Sequence, residues 1–123
     1  MEKLKVIDTN MTDIGLSYEF GEWTSEITYP YFVGEITEEP VTTGDGLEES
    51  TMILTGFARG NFLSLETAKE KIKRRFHPLE GLICKTDSGY VAVFFDGYFY
   101  VPTGEADLKK IQINLKIKEW KVY

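Results

Sequence analysis

From Ile111 to Lys118 the chain alternates without a break, Ile111, Ile113, Leu115 and Ile117 against Gln112, Asn114, Lys116 and Lys118. A period of two puts the four apolar side chains on one side of an extended strand and the polar ones on the other. This predicts a long amphipathic strand with one basic, wet face, which needs a sheet to lie in and a layer to cover its apolar side. At Trp120 and Val122 the apolar parity shifts by one, and a bulge near Lys118-Glu119 is expected there.

One helix stands out. Leu65, Ala68, Ile72, Phe76 and Leu79 recur at helical spacing, with Ser64 as N-cap and Pro78 as the stop. Glu66 opens the helix and Lys73, Arg74, Arg75 and His77 close it, each matching the sign of the helix dipole. Two hairpins are expected around it. The first joins a strand over 29–36, with Pro30 at its start, to a strand over 51–59. Its acidic loop at about 37–50 carries Glu38, Glu39, Asp45, Glu48 and Glu49. The second joins residues 90–95 to 98–101 through Asp96-Gly97, a strong two-residue turn signal. Residues 82–84 add a short strand. The first 28 residues are ambiguous. Leu4, Val6 and Ile7 suggest a short strand, a short helix around 10–16 is the alternative, and Leu16, Tyr18 and Phe20 alternate as a strand ending near Gly21. The fold class that results is α+β: a single domain over 1–123, mainly antiparallel sheet with one main amphipathic helix packed on one face.

The chain is 42% apolar and 28% charged, a globular balance. A single cysteine, Cys84, rules out an internal disulfide framework, and a single histidine, His77, argues against a histidine metal site or relay. No apolar run approaches the ~20 residues of a membrane span, and the N-terminus lacks a signal-peptide apolar region, so an intracellular protein without membrane contact is expected. The net charge of −6 disfavours specific nucleic-acid binding. A His77–Cys84 dyad lacks an orienting third group. The loop carboxylates lack calcium-loop spacing, and Glu105, Asp107 and Lys109 only loosely match a nuclease set. The expectation is therefore no enzyme, no metal and no cofactor.

Two features point to protein contacts instead. Residues 1–50 carry twelve acids against two bases, and residues 51–123 carry eight against twelve. Patches of opposite sign could steer a head-to-tail contact between copies. On the basic side Lys71, Arg74 and Arg75 are the candidates, and on the acidic side Glu38, Glu39, Asp45, Glu48 and Glu49. The chain also has eight Phe, seven Tyr and two Trp, more than one core layer needs. Trp23, Tyr29, Tyr31, Tyr98 and Tyr100 are the candidate interface aromatics.

The run Tyr29-Pro30-Tyr31-Phe32-Val33-Gly34-Glu35, the acidic loop, the strand over 51–59 and the helix opening Ser64-Leu65-Glu66-Thr67-Ala68 together resemble a family. It is that of the tail terminator (tail completion) and minor capsid proteins of long-tailed bacteriophages and prophages. The resemblance covers about residues 29–76, and the C-terminal strands fit in outline. It departs at the N-terminus, where family members often begin with a clear helix and none is obvious here. It implies a structural role: a ring, often a hexamer, at the head-proximal end of the tail, contacting the tail tube protein and head connector proteins. It further implies residence in the virion, and in the host bacterial cytoplasm during assembly, with no catalysis or cofactor. The alternative reading is a monomeric module that binds a peptide or small ligand on the aromatic hairpin 90–100.

Overall fold

The computed structural model describes residues 2–38, 47–87 and 89–121. Two helices and six strands follow in the order α1 (Glu2–Asp13), β1 (Ser17–Phe20), β2 (Tyr31–Glu38), β3 (Leu47–Arg59), α2 (Leu63–Arg75), β4 (Leu82–Thr86), β5 (Gly89–Val101) and β6 (Leu108–Lys121). They make one sheet ordered β1-β2-β3-β6-β5-β4. β1 runs parallel to β2 and every other pair is antiparallel, so the sheet is mixed rather than purely antiparallel.

The N-terminus is a helix, not the strand suggested by Leu4, Val6 and Ile7. Lys3, Ile7 and Met11 recur every fourth residue and are all buried, which only a helical turn can arrange. Polar, weakly helix-forming Asp8, Thr9 and Asn10 between them hide that stripe. The helix ends in a Schellman arrangement. Gly15, at φ +79, donates its N–H to Thr12, and Leu16 donates to Met11. α2 starts earlier than expected, at Leu63. Ser64 is therefore not its N-cap, and Asn61 Oδ1 accepts the Leu63 N–H at 2.9 Å instead.

The β2–β3 hairpin forms, with Tyr31 opposite Phe57 and Glu38 opposite Ser50. The Tyr29–Pro30 peptide that leads into it is cis. β3 begins four residues sooner than expected, so the connecting segment is residues 39–46, and Glu38, Glu48 and Glu49 belong to strands. The Asp96-Gly97 hairpin does not form. β5 continues through it beside β6, pairing Phe95 with Leu115 and Tyr98 with Ile113, and the one extra residue is taken up as a bulge with Gly97 at φ +105. An Asp-Gly pair turns a chain when its two arms have only each other. Here β6 is long enough to pair with both arms. No bulge interrupts β6 at Lys118-Glu119, where Glu49 pairs with Lys118 and Glu48 with Glu119 in step. The parity shift is instead a charged residue, Glu119, in the buried row, with Trp120 turned to the other side.

Residues of both helices enter one hydrophobic cluster with the strands. Ile7 and Met11 of α1 and Leu65, Ala68 and Ile72 of α2 join Phe32, Met52, Leu54, Val93, Ile111, Ile113, Leu115 and Ile117. Tyr18 borders this cluster, and its hydroxyl is buried with no hydrogen-bond partner among the described residues. Burial, then the Asp8 charge, holds its pKa well above the usual tyrosine range. Tyr18→Phe removes that unsatisfied hydroxyl and is expected to leave stability unchanged or raise it by up to about 1 kcal/mol in urea denaturation. A loss of comparable size would show that the hydroxyl is satisfied.

Candidate functional site

The side chains of Tyr31, Val33, Ile53, Phe57, Phe94, Phe99 and Trp120 occupy the sheet face opposite the buried row, by the alternation of each strand. The buried residues of α1 and α2 all belong to the other face. On this open face Lys110, Lys116 and Lys118 lie among the rings, with the Lys110 ammonium 5.6 Å from the Phe57 centroid and Lys118 5.8 Å from Phe94.

At one end of the face the expected aromatics converge. Trp23 lies 4.8 Å from Tyr31 between ring centroids, Tyr29 5.6 Å from Tyr31, and Tyr31 stacks on Phe57 at 5.1 Å. Tyr31 and Phe57 meet because they are register partners on adjacent strands. Trp23 and Tyr29 are brought there by the link from β1 to β2. Arg59, at the end of β3, holds the cluster's rim. Its guanidinium is 5.5 Å from the Tyr29 ring and reaches Asp107 at 3.4 Å and Glu105 at 3.5 Å. Glu105 and Asp107 therefore face an arginine, while Lys109 donates to the Ala106 carbonyl. They do not come together as the acid-acid-lysine set that their spacing suggested.

Tyr98 and Tyr100 form a separate group on the α2 side of the sheet. Their rings meet edge to face at 5.9 Å. The Tyr100 hydroxyl donates to Glu66, and the Lys69 ammonium sits 4.1 Å from the Tyr98 centroid. Lys69 is itself buried. Burial works against its charge, but its hydrogen bonds to Glu66, Tyr98 and Glu70 outweigh this and raise its pKa. The rings of the same strand that meet solvent on the open side are Tyr90 and Phe99. Residues 90–100 thus supply an aromatic strand with two different faces, not a hairpin.

The candidate charges are partly satisfied within the chain. Glu38 accepts from Lys3 at 2.8 Å, Glu49 pairs with Lys116 and Glu48 with Lys121, both at 3.5 Å. A hydrogen bond from Lys3 lowers the Glu38 pKa, and the Lys3 charge adds to this. Arg75 pairs with Asp13 at 2.6 Å and donates to Asn10, tying α2 to α1. Among the described residues the acid-rich and base-rich stretches of sequence are thus joined by ion pairs of Asp13 with Arg75, Glu48 with Lys121 and Glu49 with Lys116. Lys71 and Arg74 are exposed and form no ion pair among the described residues. Glu39 and Asp45 lie outside the described residues.

Sequence reasoning missed Phe57, Arg59, Glu66 and Lys69 as members of these groups. Phe57 was in principle visible, since it lies on the outward parity of its strand. The others depend on the path of the 60–62 and 102–107 turns. His77 Nδ1 accepts the backbone N–H groups of Leu79 and Glu80, each at 3.1 Å, and so organises the turn after α2. Cys84 lines a groove of about 290 Å³ beside Val6 and Thr9 of α1. No helix among the described residues is long and apolar enough to cross a membrane. Comparison with models of known protein families and with curated protein sequences finds no match to this chain.

Proposed function

We propose that this chain is a structural protein of a bacteriophage or prophage, a tail terminator or head–tail joining protein. It works as a ring of identical copies, a hexamer where the resemblance holds, at the head-proximal end of the tail. The observation that carries this reading is a sheet face that no helix covers among the described residues, where aromatic rings and lysines lie side by side. Rings of this kind anchor protein contacts once water is excluded, and the lysines between them select an acidic partner. The N-terminal helix α1 supports the reading too, because members of the family that the chain resembles often begin with a helix. In this reading the partners are further copies, the tail tube protein and head connector proteins. The sites of action are the virion and, during assembly, the host bacterial cytoplasm, and neither a reaction nor a cofactor enters.

The test is light scattering behind size exclusion over a range of protein concentrations at low and high salt. A discrete oligomer that loosens as salt rises is expected, with rings in electron micrographs. The exposure of Tyr90 and Phe99 favours one second reading, a monomeric module that binds a peptide or small ligand on the open side of residues 90–100. A monomer at every concentration that remains inert towards purified tail tubes counts against the ring and for the module.

A further inference from the structure

At the end of the sheet where β2 starts and β3 stops, a cleft of about 560 Å³ opens between α2 and the turn after α1. Leu16, Pro30, Leu63 and Ala68 give it apolar walls, and Arg59 and Lys71 stand among its lining. Leu63 is 71% exposed there, an unusual position for a leucine on the first turn of a helix. We propose that this cleft receives residues 39–46 of a second copy of the chain, with Pro40 and Val41 against the apolar walls and Glu39 or Asp45 on Lys71. The inference rests on the ring reading and names one of its contacts.

The first support is chemical complementarity. Residues 39–46 contain two carboxylates, no base and the apolar pair Pro40-Val41. The cleft offers apolar walls with Lys71 beside them, which forms no ion pair among the described residues, whereas Arg59 is already held by Glu105 and Asp107. The second support is placement. The segment leaves β2 after Glu38, whereas the cleft lies beyond Tyr31 at the opposite end of that strand. At ~3.3 Å per residue the intervening strand spans about 23 Å. An eight-residue segment anchored at both ends projects at most about 14 Å. A copy therefore cannot fill its own cleft. The contact joins two different surfaces, and where it is not returned between the same two copies it repeats head to tail and closes into a ring.

The test is disulfide trapping in a Cys84→Ser background. Val41→Cys and Leu63→Cys in one chain should yield a ladder of covalent oligomers under a mild oxidant. Either cysteine alone should stop at dimers. If light scattering shows an oligomer but the double variant gives no ladder, the cleft assignment falls while the ring reading stands. A monomer with no ladder overturns the cleft assignment, and it overturns the ring reading as well when purified tail tubes also leave it unassembled. An intramolecular disulfide, seen as monomer with its thiols lost, also overturns the assignment. A charge swap provides the second measurement. Lys71→Glu should weaken association about tenfold at low salt, and Glu39→Lys with Asp45→Lys in the same chain should restore most of it. Weakening without rescue would place the partner of Lys71 elsewhere and sink the proposal.

Discussion

Lys3→Met is expected to lower the unfolding free energy by about 3 kcal/mol at neutral pH. The Lys3 side chain is 5% exposed and contacts Glu38 at 2.8 Å and Glu119 at 3.9 Å, and the Glu119 side chain is 9% exposed. Methionine keeps most of the side-chain volume, so the loss is electrostatic: it strands the Glu119 carboxylate in a buried row without its cation. Adding Glu119→Gln removes that stranded charge and should recover more than half of the loss, a non-additivity that equilibrium denaturation measures directly. The pH dependence has a definite sign. Lys3 depresses the Glu38 pKa below the ordinary value of 4.5, so this contribution to stability is present above that value and is lost as pH falls through the depressed one. The gap between wild type and Lys3→Met should accordingly narrow below about pH 4.5. A variant as stable as wild type at neutral pH would mean that water reaches Glu119. The pair also ties α1 to the end of the sheet from which residues 39–46 emerge.

What could be read from the sequence follows what is periodic. The strands β2, β3 and β6 and the helix α2 were legible because their apolar residues keep a strict spacing over at least two turns or pleats. α1 was not, because one of its three buried residues is a lysine. A charge on the buried stripe of a helix breaks the pattern that would reveal it, and its partners Glu38 and Glu119 lie far along the chain. The same pair disguised the end of β6, where the misplaced glutamate read as a bulge. Asp96-Gly97 misled for a different reason: turn propensity is local, whereas β5 is held straight by a long neighbour. The aromatic site was half visible. Trp23, Tyr29 and Tyr31 could be named from composition and spacing, but Tyr98 and Tyr100 share their character and lie on the other side of the sheet. The bulge at Gly97 restores their alternation to the α2 side, and nothing in the residue types foretells it.

The second large effect is expected at Gly56. It sits in the buried row of β3, register partner of both Phe32 on β2 and Ile111 on β6. A side chain there would overlap the Phe32 ring, which lies against the glycine and is fully buried. Gly56→Val should therefore destabilise the protein by about 3 kcal/mol, the upper end for overpacking, since the ring has neighbours on every side and nowhere to turn. The effect should also reach the open face. Phe57 is the next residue along β3 and stacks on Tyr31, so a strand pushed aside at Gly56 loosens the Trp23-Tyr31-Phe57 row. In a Trp120→Phe background, where Trp23 is the sole tryptophan, intrinsic fluorescence should change under conditions where Gly56→Val is still folded by circular dichroism. A space-making partner separates this explanation from a general intolerance of valine. Phe32→Leu alone is expected to cost about 1 kcal/mol as a cavity-forming change. Combined with Gly56→Ala, it should cost less than the sum of the two single changes. Strict additivity of that pair would show that Phe32 is not what keeps position 56 a glycine.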